Sequence, residues 1–193
     1  QMLIEAYKLL SNVPAAKLPT VLQLFNKMAT EICEGQQYDV DFESQEAVNI
    51  EEYLHMIRLK TSVLLGTALQ IGAYIAGADQ EAQRAIYDFG INVGLAFQIQ
   101  DDILDVWGDP ATFGKAVGGD IACNKKTFVF LTALQMADID HRRTLENWYS
   151  RILTDNTQKI AAVKSIFEAV GVRKACEEKV NDYTETAMAI LAN

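Results

Sequence analysis

From Asp79 to Val106 the chain holds one hydrophobic period without a break, and Gly108-Asp109-Pro110 then ends it. Apolar positions recurring every three to four residues specify an amphipathic α-helix, and so long a helix needs other helices beside it to cover its apolar stripe. The rest of the chain keeps the same period, with no strand-like alternation bounded by hairpin turns. Met2–Leu10 is expected to be a helix closed by Ser11-Asn12 and Pro14. Pro19 starts the next, where its missing N–H costs nothing, and that helix is expected to run to about Gln37. Asn49, with Glu52 three residues on, reads as a capping box opening a segment that ends near Arg58. Thr61–Ala76 is apolar almost all round, as a helix buried at the centre of a bundle would be, and Gly77 stops it. Ala111–Asn124 has three glycines and no period, so it reads as a loop; helices over about Lys125–Ala137, Asp140–Ile152, Gln158–Ala169 and Val172–Ala192 follow, with Gly171 dividing the last pair. The expectation is an all-α helical bundle in a single domain spanning 1–193, with no internal repeat and no linker.

A chain of 193 residues can bury roughly 70% of the surface it exposes when unfolded, enough for one substantial core. Its net charge of -9 argues against nucleic acid or an anionic membrane surface as the main partner. An acidic protein can still bind phosphate, through a local basic group or a bridging divalent cation. Cys33, Cys123 and Cys176 lie far apart without CxxC spacing, as in a reduced, cytoplasmic protein, and His55 and His141 are isolated, so neither a disulfide framework nor a zinc site is expected. No run approaches about 18 uninterrupted apolar residues and no signal peptide is visible, so no membrane span is expected. The chain starts in helix without a cap, which suggests that the protein's own beginning lies further upstream.

The segment Gly94 to Asp105 concentrates the chemistry. At about 100° per residue, Asp101 and Asp105 lie about 40° apart and one turn apart in height, and Gly90, Gly94, Phe97 and Gln98 fall within roughly 60° of the same line. A helix that merely packed would be expected to carry large aliphatics on that stripe, and one that merely faced water would not carry Gly90, Gly94 and Phe97. Asp101, Asp102 and Asp105 repel each other at the end of the helix where the macrodipole disfavours negative charge, unless a cation compensates. Oxygen-only ligands in small number suit Mg²⁺, which keeps several waters and bridges carboxylates to substrate phosphates. The bland reading of a DDxxD is a solvated acidic helix end; the glycine-bearing stripe and the loop that follows weigh against it. That loop carries Gly108, Gly114, Gly118 and Gly119 with Lys115, Lys125 and Lys126. Glycines admit an anion to the backbone and lysines supply point charges, so Lys115 and Lys125 are candidates for diphosphate contacts. No GxxxxGK[ST] and no preceding strand make this a P-loop.

The run GLAFQIQDDILDVWGDPATFGKAVGGD…NKKTF closely resembles the second aspartate-rich region of the trans-isoprenyl diphosphate synthases, the farnesyl and geranylgeranyl diphosphate synthase family. Gly35-Gln36-Gln37-Tyr38-Asp39 is similar to that family's GQxxD motif, Lys60-Thr61 to its KT motif, and Met2–Tyr7 to the stretch after its first aspartate-rich region. The resemblance implies an isoprenoid synthase-type bundle, of which this chain would be the C-terminal two-thirds, acting as a homodimer on isopentenyl diphosphate and an allylic diphosphate. It further implies Mg²⁺ held chiefly by Asp101 with support from Asp102 and Asp105. Lys60 and Lys115 would hold the leaving diphosphate, Thr61 and Gln98 would flank the breaking bond, Phe97 would lie near the isopentenyl partner, and Asp39 would orient the cationic side chains. The residue types are consistent with cation chemistry, since no Ser or Cys has a His and an acid arranged as a triad. The family's first aspartate-rich motif, its arginine pair and the residues that set product length are not among these residues, and Arg142-Arg143 match nothing in the pattern. The expectation is therefore a catalytic segment inactive by itself, whose exposed apolar faces drive self-association or binding to a missing half. Two other readings are a non-catalytic helical partner or regulatory subunit of such a synthase, and a terpene cyclase of the same fold. Retention of Asp101, Asp105, Lys60 and Lys115 speaks against the first, and the GQxxD and KT segments together against the second.

Overall fold

The computed structural model describes residues 2–109, 111 and 117–192. Among these there is no strand. The helices are α1 (Met2–Leu10), α2 (Leu18–Ser44), α3 (Ile50–Ile57), a π-turn (Arg58–Ser62), α4 (Val63–Ala76), α5 (Gln80–Trp107), a single turn α6 (Gly119–Ala122), α7 (Phe128–Met136), α8 (Ile139–Tyr149), α9 (Thr157–Ala169) and α10 (Val172–Ala192). The all-α expectation holds.

The boundaries follow local chemistry. Asn49 and Glu52 form the expected capping box, Asp79 caps α5 through the Ala82 N–H, and Gly77 closes α4 at φ 88. Four expectations change. α2 continues to Ser44, because Phe42 gives it one more buried anchor. The break expected near Arg58 is absent: α3 and α4 run on through the π-turn as one helix, Ile50–Ala76, whose length and mean hydropathy of 1.2 reach the range of a membrane span. That helix is not buried all round. It turns Val63, Gly66 and Thr67 inward and leaves Leu64, Leu65, Leu69 and Ile75 exposed, because the side it gives to α5 is made of small residues. The stretch read as featureless loop contains α6, opened by Gly118 at φ 88 and followed by Asn124 at φ 58.

α5 is the axis of the bundle, flanked chiefly by α10 and α4. Its buried face, Ile91, Leu95, Ile99, Ile103 and Val106, joins one continuous core with Val129, Leu131, Val163, Phe167 and Cys176. The side of α5 toward α4 and the π-turn carries Gly90 and Gly94, and beyond them Gln98, Asp101 and Asp102, where the two helices meet through side chains, Gln98 with Thr61 and Asp102 with Tyr53.

Candidate functional site

A cavity of about 620 Å³ opens between α2, α3, the π-turn, the C-terminal part of α5 and the segment Asp120–Thr127, with Ile152 and Leu153 also lining it. Its charged lining is Asp39, Glu43, Asp101, Asp102 and Asp120 against Lys60, Lys125 and Lys126. The excess is negative, so an anion is accommodated there only with a cation or by displacing a carboxylate from a lysine.

Each lysine is already engaged. Lys60, in the π-turn, donates to Asp39 Oδ2 of α2 at 2.7 Å. Lys125 pairs with Asp120 Oδ1 at 3.2 Å; burial would lower its pKa, but the Asp120 charge and hydrogen bond outweigh burial and raise it. Lys126 donates to the Phe42 carbonyl at 2.6 Å, and burial lowers its pKa.

The three aspartates of α5 do three different things. The Asp101 carboxylate lines the cavity and has no hydrogen-bond or ion-pair partner among the described residues. Asp102 is buried: Oδ2 accepts from Tyr53 Oη at 2.6 Å and from the Phe128 N–H at 3.0 Å, and Oδ1 accepts from Gln98 Nε2 at 3.4 Å. Burial pushes its carboxyl up to about 7 against these donors. Tyr53 is pushed well up by the same burial and by the neighbouring Asp102. Asp105, also raised by burial, turns to the loop. Its Oδ2 accepts the Asp120 N–H at 3.0 Å and its backbone carbonyl accepts the Gly118 N–H at 2.7 Å, so Asp105 tethers α6 while lying outside the cavity lining itself. Among the described residues no three acidic, His or Cys side chains converge as a ready metal cage.

Gln98 is fixed at both ends, its Oε1 accepting from Thr61 Oγ1 at 3.1 Å and its Nε2 reaching Asp102. Phe97 is 63% exposed and lies on the flank of α5 outside the cavity lining. Lys115 lies outside the described residues. The glycine stripe has a different meaning from the expected one. A Cβ on Gly90 would lie 2.6 Å from Gly66 Cα, and one on Gly94 2.5 Å from Ser62 Cα. These glycines let α5 and the facing helix touch backbone to backbone; large aliphatics are excluded because the helices are that close.

Sequence reasoning missed Tyr53, Asp120 and Lys126. Tyr53 precedes Lys60 by two helical turns, so a same-face argument could have found it. Asp120 and Lys126 sit where no period operates. Beneath them the wholly buried Lys159 of α9 donates to the Ala122 carbonyl at 3.3 Å and to Asn124 Oδ1, and its ammonium stands 5.6 Å from the Tyr149 ring centroid.

The polyprenyl synthetase family model matches residues 1–170. The chain is 43% identical over 129 residues to a short chain isoprenyl diphosphate synthase of Methanocaldococcus jannaschii, covering 67% of this chain and 39% of that protein. A crystal structure of a geranylgeranyl pyrophosphate synthase superposes with a TM-score of 0.93 at 46% identity, over 99% of this chain and 59% of that one. A geranylgeranyl pyrophosphate synthase from Corynebacterium glutamicum, crystallised with isoprenyl diphosphate and magnesium, gives a TM-score of 0.85 at 30% identity over 94% of this chain and 52% of that one. The chain thus spans between about two-fifths and three-fifths of the length of these proteins.

Proposed function

Because this chain belongs to the polyprenyl synthetase family, we propose that it forms the diphosphate-holding part of a Mg²⁺-dependent trans-prenyltransferase that condenses isopentenyl diphosphate with an allylic diphosphate. The observation that carries this reading is one cavity in which an unpartnered carboxylate, Asp101, is ringed by Lys60, Lys125 and Lys126. Lysines around a pocket stabilise the negative charge that grows on a departing diphosphate, and such stabilisation is largest where charge develops.

The donor set fits Mg²⁺. The ion takes oxygen ligands, demands few from protein and completes its shell with waters and phosphate oxygens, which suits one open carboxylate better than a closed cage. Asp101 would hold it, with Asp102 and Asp105 fixing that end of the helix from behind through Tyr53, Phe128 and Asp120. When bound, the ion would neutralise and polarise the diphosphate. Lys60 would exchange Asp39 for a phosphate oxygen, and Lys125 would exchange Asp120. Thr61 and Gln98, already bonded to each other, would present oxygen atoms to the allylic carbons as the C–O bond breaks and its electron pair leaves with the diphosphate. Lys115 would hold the leaving diphosphate as the family resemblance implies, whereas Phe97, exposed and outside this cavity, has no support here for a place near the isopentenyl partner. The whole would act as a homodimer, and the exposed Leu64, Leu65, Leu69 and Ile75 support an assembled form, whether of copies of this chain or with further chain.

The test is condensation of isopentenyl diphosphate with farnesyl diphosphate, measured with Mg²⁺ and with a chelator. It compares this chain alone, the chain within a polypeptide of its relatives' full length, and Asp101→Ala in that polypeptide. Metal-dependent turnover in the longer protein, lost with Asp101→Ala, is the expected result. A longer protein that neither turns over nor binds Mg²⁺–diphosphate would leave the non-catalytic partner as the better account.

A further inference from the structure

Between Arg58 and Ser62 the helical ladder slips from four residues to five, so that the Val63 N–H meets the Arg58 carbonyl and the turn bulges. Both helices that flank the bulge lack a side chain where it protrudes. On α2, a Cβ added to Gly35 would collide with the backbone nitrogen of Lys60 and lie 2.8 Å from Leu59 Cβ; on α5, one added to Gly94 would lie 2.5 Å from Ser62 Cα and 2.7 Å from its Oγ. One turn further on each flanking helix, on the same line, stands a polar group bonded to the same bulge: Asp39 to the Lys60 ammonium, and Gln98 to the Thr61 hydroxyl.

We infer that Gly35 with Asp39, and Gly94 with Gln98, are two clamps that grip the backbone and the side chains of the π-turn together, making Gly35 and Gly94 positioning residues for Lys60 and Thr61. The functional value of that position rests on the proposed diphosphate site; the clamp itself does not. Close helix contact alone does not account for the pattern. Gly66 and Gly90 are equally tight, with Cβ positions 2.9 Å from the Tyr87 carbonyl oxygen and 2.6 Å from Gly66 Cα. Four residues beyond them stand Gln70 and Gly94, neither of which lines the cavity. Ser62 Oγ, buried and without a hydrogen-bond partner, shows what the grip costs: the hydroxyl is pinned under Gly94 rather than satisfied. A residue in a slipped turn would otherwise be free to relax back into register, carrying its neighbours to another face of the helix.

The experiment compares Gly35→Ala, Gly94→Ala and the control Gly90→Ala in the full chain, by two readouts. The first is the NMR signal of Lys60 in chain carrying ¹³C-dimethylated lysines, assigned with Lys60→Arg, together with the Thr61 methyl signal, assigned with Thr61→Ser. The second is calorimetric titration with Mg²⁺ and inorganic diphosphate. Gly35→Ala is expected to move the Lys60 signal toward its place in Asp39→Asn and to weaken diphosphate binding roughly tenfold or more, as loss of a hydrogen bond to a charged group does; Gly94→Ala is expected to move Thr61. Gly90→Ala is expected to lower the melting temperature and move neither signal. A folded Gly35→Ala with the wild-type Lys60 signal overturns the clamp, as does a Gly90→Ala that displaces Lys60 equally. Should the alanine variants not fold, hydrogen exchange of the wild-type chain decides. Ser62 and Val63 amides as protected as that of Ile99 support the clamp, and exchange within seconds overturns it. If the wild-type chain binds no Mg²⁺–diphosphate while Gly35→Ala still displaces Lys60, the clamp stands and the proposed function does not.

Discussion

The α2–π-turn–α5 side of the cavity positions Lys60, Thr61, Gln98 and Asp101 through contacts between helix backbones, whereas the Asp120–Thr127 side positions its groups through side chains that reach in from below. On the first side a polar group can be removed without loosening what holds it, since the grip lies in glycines and in the helical ladder. On the second the support is itself polar. Lys159 satisfies the end of α6, Asp105 satisfies its beginning, and Lys126 ties the segment to α2. Ligand binding and fold stability are therefore separable on the helical wall and coupled on the loop wall.

The largest separation is expected from Lys60→Met. Its ion pair with Asp39 is partly exposed and contributes little to stability, so the melting temperature should stay within about a degree. Loss of a charge-assisted contact should weaken Mg²⁺–diphosphate binding by roughly ten- to a hundredfold. Calorimetric titration beside a thermal melt reads both; a large fall in melting temperature would erase the contrast. Lys159→Met should do the reverse. It strands two partly buried acceptors at a cost of about 1–3 kcal/mol, lowering the melting temperature by roughly 2–10 °C for a chain of this size and loosening diphosphate binding only as the loop wall loosens.

A more local effect is expected at Gly118, whose φ of 88 disfavours any side chain and whose Cβ would lie 2.7 Å from Ile160 Cγ2. Gly118→Ala should cost about 1–3 kcal/mol, measured by denaturant unfolding, and should raise hydrogen exchange in α6 while leaving α3 and α5 as they were. Equal loosening of both walls would contradict their independence. A separate contrast concerns pH. Burial raises Asp102 from an unfolded value near 3.9 to about 7 in the folded chain. The fold therefore favours the neutral carboxyl, and this contribution is fully present below about pH 4 and is lost as pH rises through 7. Asp102→Asn should flatten that part of the melting-temperature profile between pH 5 and 8; an unchanged slope would assign it to other groups.

The division between the walls is also the division between what spacing reveals and what it hides. The 3.6-residue period put Gln98 and Asp101 on one line of α5, and both line the cavity. The same arithmetic put Gly90 and Gly94 on that line but could not say that a second helix lies against them, since a period gives the face and not the neighbour. It gave the line of Asp105 yet not the loop that folds over it. The join at Arg58–Ser62 was illegible for another reason: one extra residue in a turn changes no composition, and propensity is nearly indifferent to it. Asp120, Lys126 and Lys159 meet only because loop and helix come together in space, and no local pattern encodes that.

Pairing of the cavity lysines has a kinetic consequence. Lys60 and Lys125 are each paired with a carboxylate, Lys126 is tied to the Phe42 carbonyl, and the chain as a whole carries -9. Long-range forces thus oppose bare diphosphate, whose association should be slow and should quicken as salt screens the repulsion. A magnesium complex carries less negative charge and brings Asp101 a partner, so its on-rate should be higher and depend less on ionic strength. A site that holds two of its three positive groups in reserve on its own carboxylates would select the form in which its ligand arrives before any contact is made.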